Sequence, residues 1–159
     1  MPYEGLTQLV KITQVIPCTT AGSSDTIISS VIDTQAFDAN AFLLSVGTVA
    51  AATTTGLAAG RCELDIQEST LGTTNSTDWG TIDGAAVGPV ATSDSNKTLI
   101  IDIRRGSYRY LRCRVIREST DGPNHVAIGG VWALQTGSSV LPTTQGSGIL
   151  ETMVIDGIH

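Results

Sequence analysis

The sequence predicts an all-β protein built as one antiparallel β-sandwich. Three observations point there. Apolar segments of about 6 to 10 residues alternate with turn-rich breaks along the chain, the pattern expected of a sandwich or barrel. Threonine, valine and isoleucine, which suit a pleated, half-buried backbone, are abundant, while charged residues make up 15% and aromatics 4% of the 159 residues. Long Ala/Leu/Glu/Lys helices therefore have no material. RCELDIQE at 61–68 alternates with period two, placing Cys62, Leu64 and Ile66 on one face and Arg61, Glu63, Asp65 and Gln67 on the other.

Taken in order, QLVKITQVI is the first strand and stops at Pro17. TAGSSD turns the chain into TIISSVID, and DTQAFDAN makes a corner before the apolar strand AFLLSVGTV. AATTTGLAAG is small and loop-like. RCELDIQE follows, then a polar stretch, STLGTTNSTDWGTIDG, with Trp79 as its one large anchor. KTLIIDIR is the next strand, RGSY turns out of it, and RYLRCRVIRE and HVAIGGVWALQ complete a set of seven or eight, enough for two packed sheets. After Gln135 the pattern stops: TGSSVLPTTQGSG has linker composition, and ILETMVIDGIH is a short apolar tail. The division is thus an N-terminal strand or arm at 1–16, a sandwich at 17–135, and a linker with an apolar tail at 136–159. A chain this long forms one compact domain.

Formal net charge is −6, yet six of the nine basic residues fall between Arg104 and Arg117: Arg104, Arg105, Arg109, Arg112, Arg114 and Arg117. Period two puts Leu111, Cys113 and Val115 on one face of that strand and Tyr110, Arg112, Arg114 and Ile116 on the other. If 61–68 is its antiparallel neighbour, Arg112 and Arg114 lie opposite Glu63 and Asp65, an ion-paired sheet face contributing roughly 0.2–1 kcal/mol per pair. That outweighs a nucleic-acid surface, which requires unpaired cations and stacking aromatics. Arg104, Arg105 and Arg109, beside the turn at Gly106, are better placed to reach a partner carboxylate with a guanidinium fork.

Chemistry-bearing motifs are sparse. His125 and His159 are the only histidines, and Cys18, Cys62 and Cys113 share no metal-ligand spacing. There is no GxSxG, HExxH, GxxxxGK[ST] or GxGxxG. Reduced, buried thiols are expected, with Cys62 and Cys113 facing each other across the core. Asp33 and Asp38 read as turn residues accepting from nearby backbone N–H groups, and Asp94 and Asn96 as hairpin residues. Trp79 is a sugar-stacking platform or, more commonly for such a residue, a lid on the sandwich; Trp132 belongs to the core or to a subunit interface. The N-terminus shows no secretory signal and no apolar run is long enough to span a membrane, so synthesis in a cytoplasm is expected.

The order VIDTQAFDANAFLLSVGT, CELDIQEST…STDW, SDSNKTLIIDIRRGSYRYLRCRVI resembles the decoration or cement proteins of tailed-bacteriophage heads. The likeness covers about residues 25–135, and its motifs, including Arg109, Tyr110, Leu111 and Arg112 in RYxR, are structural. It implies a jelly-roll-like sandwich and a homotrimer bound to the major capsid protein on the outside of the virion. It implies no enzyme activity, no cofactor, no small-molecule substrate, and neither nucleic acid nor membrane as partner.

Subunit and capsid contacts are expected from the arms and from the arginine turn: Tyr3, Leu6 and Leu9; Arg104, Arg105 and Arg109; Ile149, Leu150, Met153 and Ile155. The tail is too apolar to remain in water, and docking on a neighbouring subunit is the expected outcome. The competing expectation is a glycan- or receptor-binding sandwich of a phage tail or fibre, using loop residues such as Trp79.

Overall fold

The computed structural model describes residues 9–22, 25–52, 60–104, 108–119 and 126–137. Among the described residues ten strands occur: β1 (Val10–Ile16), β2 (Thr19–Gly22), β3 (Asp25–Ile28), β4 (Ile32–Asp33), β5 (Ala39–Val49), β6 (Arg61–Ser69), β7 (Gly80–Val90), β8 (Thr98–Arg104), β9 (Tyr110–Glu118) and β10 (Val126–Thr136). All pair antiparallel in two sheets. The first runs β1-β10-β5-β8, with β2 also beside β10. The second runs β3-β9-β6-β7, with β4 also beside β9.

The two short strands are continuations. β1 and β2 pair with successive parts of β10 across the break at Pro17 and Cys18, and β3 and β4 pair with successive parts of β9. Counting each pair as one strand leaves eight positions, ordered 1-8-3-6 and 2-7-4-5. First pairs with last, second with seventh, third with sixth and fourth with fifth. That nesting is a long hairpin rolled up, the jelly roll.

Residues alternate inward and outward as the pleat demands. Phe42, Leu44 and Val46 of β5, Leu64 and Ile66 of β6, Leu111 and Val115 of β9 and Val131 of β10 meet between the sheets, each almost wholly buried. Gly130 in β10 takes φ +109, and a Cβ there would lie 3.0 Å from the Ile16 carbonyl oxygen. It sits where the register between β10 and β5 shifts, so the bulge needs glycine. β1, within the segment expected as an N-terminal strand or arm, is a full member of the first sheet.

Two expectations are corrected. The stretch read as polar loop through Gly84 contains the first five residues of β7, an eleven-residue strand that runs on to Val90. Its glycines and the cis Gly88–Pro89 bond hide it from propensity, and its edge position is where a sheet tolerates proline. Cys62 and Cys113 do not face each other across the core. They belong to adjacent strands of one sheet, Cys62 opposite Arg117 and Cys113 opposite Ile66. Burial pushes the Cys62 thiol up to about 11 and the Cys113 thiol up to about 12, whereas Cys18 is exposed. A thiolate-directed reagent at about pH 8 should therefore titrate one thiol in the folded protein and three after denaturation. Rapid labelling of Cys62 or Cys113 in the folded protein would contradict that packing.

Candidate functional site

β9 and the residues leading into it carry four arginines whose side chains are described, and each has a partner within the chain. Arg109 donates from Nε to Asp33 Oδ1 at 3.0 Å and from Nη2 to Asp33 Oδ2 at 2.6 Å. Asp33 also accepts the Gln35 backbone N–H at 3.0 Å, the turn expected of it. Arg114 clasps Asp65 through Nε and Nη2, and its Nη2 reaches Thr81 Oγ1 at 3.4 Å, tying β9 to β6 and β7. The register is displaced by one pair from the expected ladder, which sets Arg112 opposite Asp65 and Arg114 opposite Glu63: Arg114 instead lies opposite Asp65, Arg112 opposite Gln67, and Glu63 opposite Ile116.

That shift of partner changes the environment of Arg112. Its Nε donates to Gln67 Oε1 at 2.8 Å, and its guanidinium carbon lies 4.3 Å from the centre of the Trp79 ring. Arg112 is 4% and Trp79 7% exposed. Burial first, and then the neighbouring Arg114, pull the Arg112 pKa below the ordinary arginine range. Trp79 Nε1 donates to the Thr73 carbonyl oxygen at 2.8 Å. Trp79 thus covers the outer face of the second sheet rather than closing the sandwich. Buried on a cation, it offers no open ring for a sugar.

Arg117 makes the most hydrogen bonds of the four. Its Nε donates to Asp25 Oδ1 at 2.6 Å and its Nη2 to Asp25 Oδ2, while Nη1 donates to the carbonyl oxygens of Thr20 and Val126, both at 2.9 Å. Asp25 and Arg117 lie in the second sheet, whereas Thr20 and Val126 lie in the first. One side chain therefore pins both sheets at one end of the sandwich. Asp25 carried no periodic signal, so only the fold could pair it.

The arginine hydrogen bonds hold the Asp25 and Asp33 carboxyls below the ordinary carboxylate value of 3.8, against an opposing effect of burial. Depressed folded-state pKa values mean that the stabilisation is fully present above the unfolded value and is lost as pH falls through the folded values. The melting temperature should lose the contribution of these pairs below about pH 4. A pH series comparing wild type with Asp33→Asn should show a shallower acid loss in the variant, and parallel curves would contradict the assignment.

Of the expected contact residues, Leu9 is 40% exposed just before β1, and Arg109 is engaged by Asp33. Arg104 ends β8 opposite Ala39; its side chain is not among those described. Tyr3, Leu6, Arg105, Ile149, Leu150, Met153 and Ile155 lie outside the described residues, as does His125. Among the described residues no group of three or more His, Cys, Asp or Glu is gathered as for a metal ion. A shallow cleft of about 320 Å³ lies beside Trp79, lined by Glu68, Ser69, Asp78 and the exposed Tyr108 among others. Tyr108 is the accessible aromatic there.

The outer face of the first sheet differs from that of the second. Cross-strand partners share a face, so Gln14, Trp132, Leu43 and Ile100 form one outward row, and Ile12, Leu134, Ala41 and Asp102 the next. Trp132 is therefore outside the core. Ile100 is 56% exposed, and Ile12, Leu43, Trp132 and Leu134 are half-buried. Asp102 is the one charged side chain in these two rows.

No family model and no curated protein matches the chain. Among solved structures it is similar to a chain in a structure of infectious bursal disease virus Gt strain, with a TM-score of 0.47 and 10% sequence identity. The match covers 86% of this chain and 36% of that one, so the chain spans about a third of its neighbour's length.

Proposed function

We propose that this chain is a structural virion protein: a decoration or cement subunit that binds the outside of a phage capsid as a trimer and stabilises the head. The observation that carries the reading is the division of the surface. The four described arginines of β9 and its approach are bound to the chain's own carboxylates, carbonyls, amide and indole, while the first sheet presents an apolar exterior suited to packing on protein. Exposed apolar area of this kind marks an interaction surface. The strand order adds a fold-level analogy, because jelly rolls build many viral shells, and the sequence resemblance to head decoration proteins points the same way. Symmetry would multiply modest single contacts into high avidity.

Co-sedimentation with heads lacking the protein tests this, with native mass recorded alongside. Saturable binding by a trimer and improved survival of the heads on heating are expected. A monomer that ignores heads would overturn the reading. Jelly rolls also serve as lectin domains, and the cleft at Tyr108 keeps a glycan-binding tail or fibre module as the second reading. Trp79 does not contribute an open stacking face to it. A glycan array would detect such binding directly.

A further inference from the structure

We propose that the outer face of the first sheet is the receptor for the C-terminal segment 149–158 of a second copy of this chain. The inference rests on the proposed self-assembly and adds its interface. An antiparallel sheet with one solvated face alternates apolar and polar residues; strands apolar on both faces are covered on both. AFLLSV, LIIDI and VWALQ read apolar on both faces, and the two outward rows show the result. The second sheet, by contrast, fills its outer face with Asp65, Gln67, Arg112 and Arg114, and Trp79 of the same chain lies over Arg112 there.

The occupant follows from where the described chain leads. β10 ends at Thr136, held by the Asp38 N–H at 2.9 Å. Gly137 follows at φ +72, where a Cβ would lie 2.7 Å from that of Asp38. A groove of about 200 Å³ opens at this corner, lined by Val10, Ala39, Ala41, Asp102, Leu134 and Thr136. Beyond Gly137 come about eleven residues, 138–148, and then Ile149, Leu150, Met153, Val154, Ile155 and Ile158. Ten extended residues span about 33 Å, close to the length of the eleven-residue strands β5 and β10 that run through the face. Folding back onto its own sheet would need a reversal of about 2 to 5 residues. The spacer is at least twice that and reaches about 36 Å when extended, long enough to leave its own sheet. Passing each tail to the next copy is a heterologous contact, and a rotation that closes, as a trimer's does, makes it a ring.

Complementation of two defective chains tests it. One chain keeps its tail and carries Ile100→Glu, a change at a half-exposed position; the other keeps its face and lacks 146–159. Leu43→Thr serves as a second face variant, and far-UV circular dichroism checks that each chain folds. Wild type should assemble, and each defective chain alone should have the native mass of a monomer. The equimolar mixture should run at the summed mass of both chains. If wild type assembles while the folded mixture stays monomeric, the tail is not exchanged and the inference falls alone. Assembly of the tail-less chain by itself would also overturn it, since the face would then pair with itself. A wild-type chain that stays monomeric removes the self-assembly reading as well.

Discussion

Replacing Arg117 with alanine should lower stability by about 3–5 kcal/mol, the usual cost of removing one partner from a buried ion pair. The direction of the asymmetry is set by burial: the arginine side chain is 6% exposed and that of Asp25 45%. Without the guanidinium, the Thr20 and Val126 carbonyl oxygens lose a charged donor inside the structure, where water cannot readily substitute. Asp25 is open enough to hydrate when left alone. Asp25→Ala should therefore cost much less, about 1 kcal/mol, in the range of exposed pairs. Arg117→Lys should fall between, since an ammonium cannot present the fork to Asp25 while reaching both carbonyls. For a domain of this size the alanine variant should melt roughly 10 °C or more below wild type. Calorimetry of the three variants checks the order, and equal losses from Asp25→Ala and Arg117→Ala would contradict the two-sheet clasp.

Replacing Trp79 with alanine should cost about 3–5 kcal/mol, as for other buried aromatics. The loss combines the packing of the ring with its contact to the Arg112 cation, worth up to about 2 kcal/mol when desolvated. Trp79→Phe should recover part of this, because a smaller ring still covers the guanidinium. The same variant isolates Trp132 as the remaining fluorophore. Acrylamide should quench Trp132 readily in the isolated subunit and poorly once the outer face of the first sheet is occupied. Trp79, observed alone in Trp132→Phe, should be shielded throughout and unmoved by added sugars. Sugar-dependent quenching of Trp79 would restore the glycan platform.

Much of the fold was legible because period two is a strong signal where one face is buried. RCELDIQE and RYLRCRVIRE read correctly as antiparallel neighbours that set arginines against acidic residues. The exact ladder was not legible, since a shift of one pair leaves the pattern unchanged, and Arg112 consequently gained Gln67 and Trp79 in place of a carboxylate. β7 was hidden because Gly84, Gly88 and Pro89 are turn signals in local sequence and acceptable only on a sheet edge, a tertiary property. The Arg117 clasp joins residues as far apart as Thr20 and Val126, and no local pattern encodes such a contact. The apolar exterior of the first sheet was present in the runs AFLLSV and VWALQ. Without the sheet order those runs do not separate core from interface, and Trp132 fits either.

Mapping the chain on the virion tests the central claim most directly, by subtracting a reconstruction of heads lacking it from one of heads carrying it. The account predicts difference density on the outside of the shell, jelly-roll in shape, grouped in threes and touching the major capsid protein. Density at the tail or fibre, inside the shell, or nowhere on the particle would contradict it.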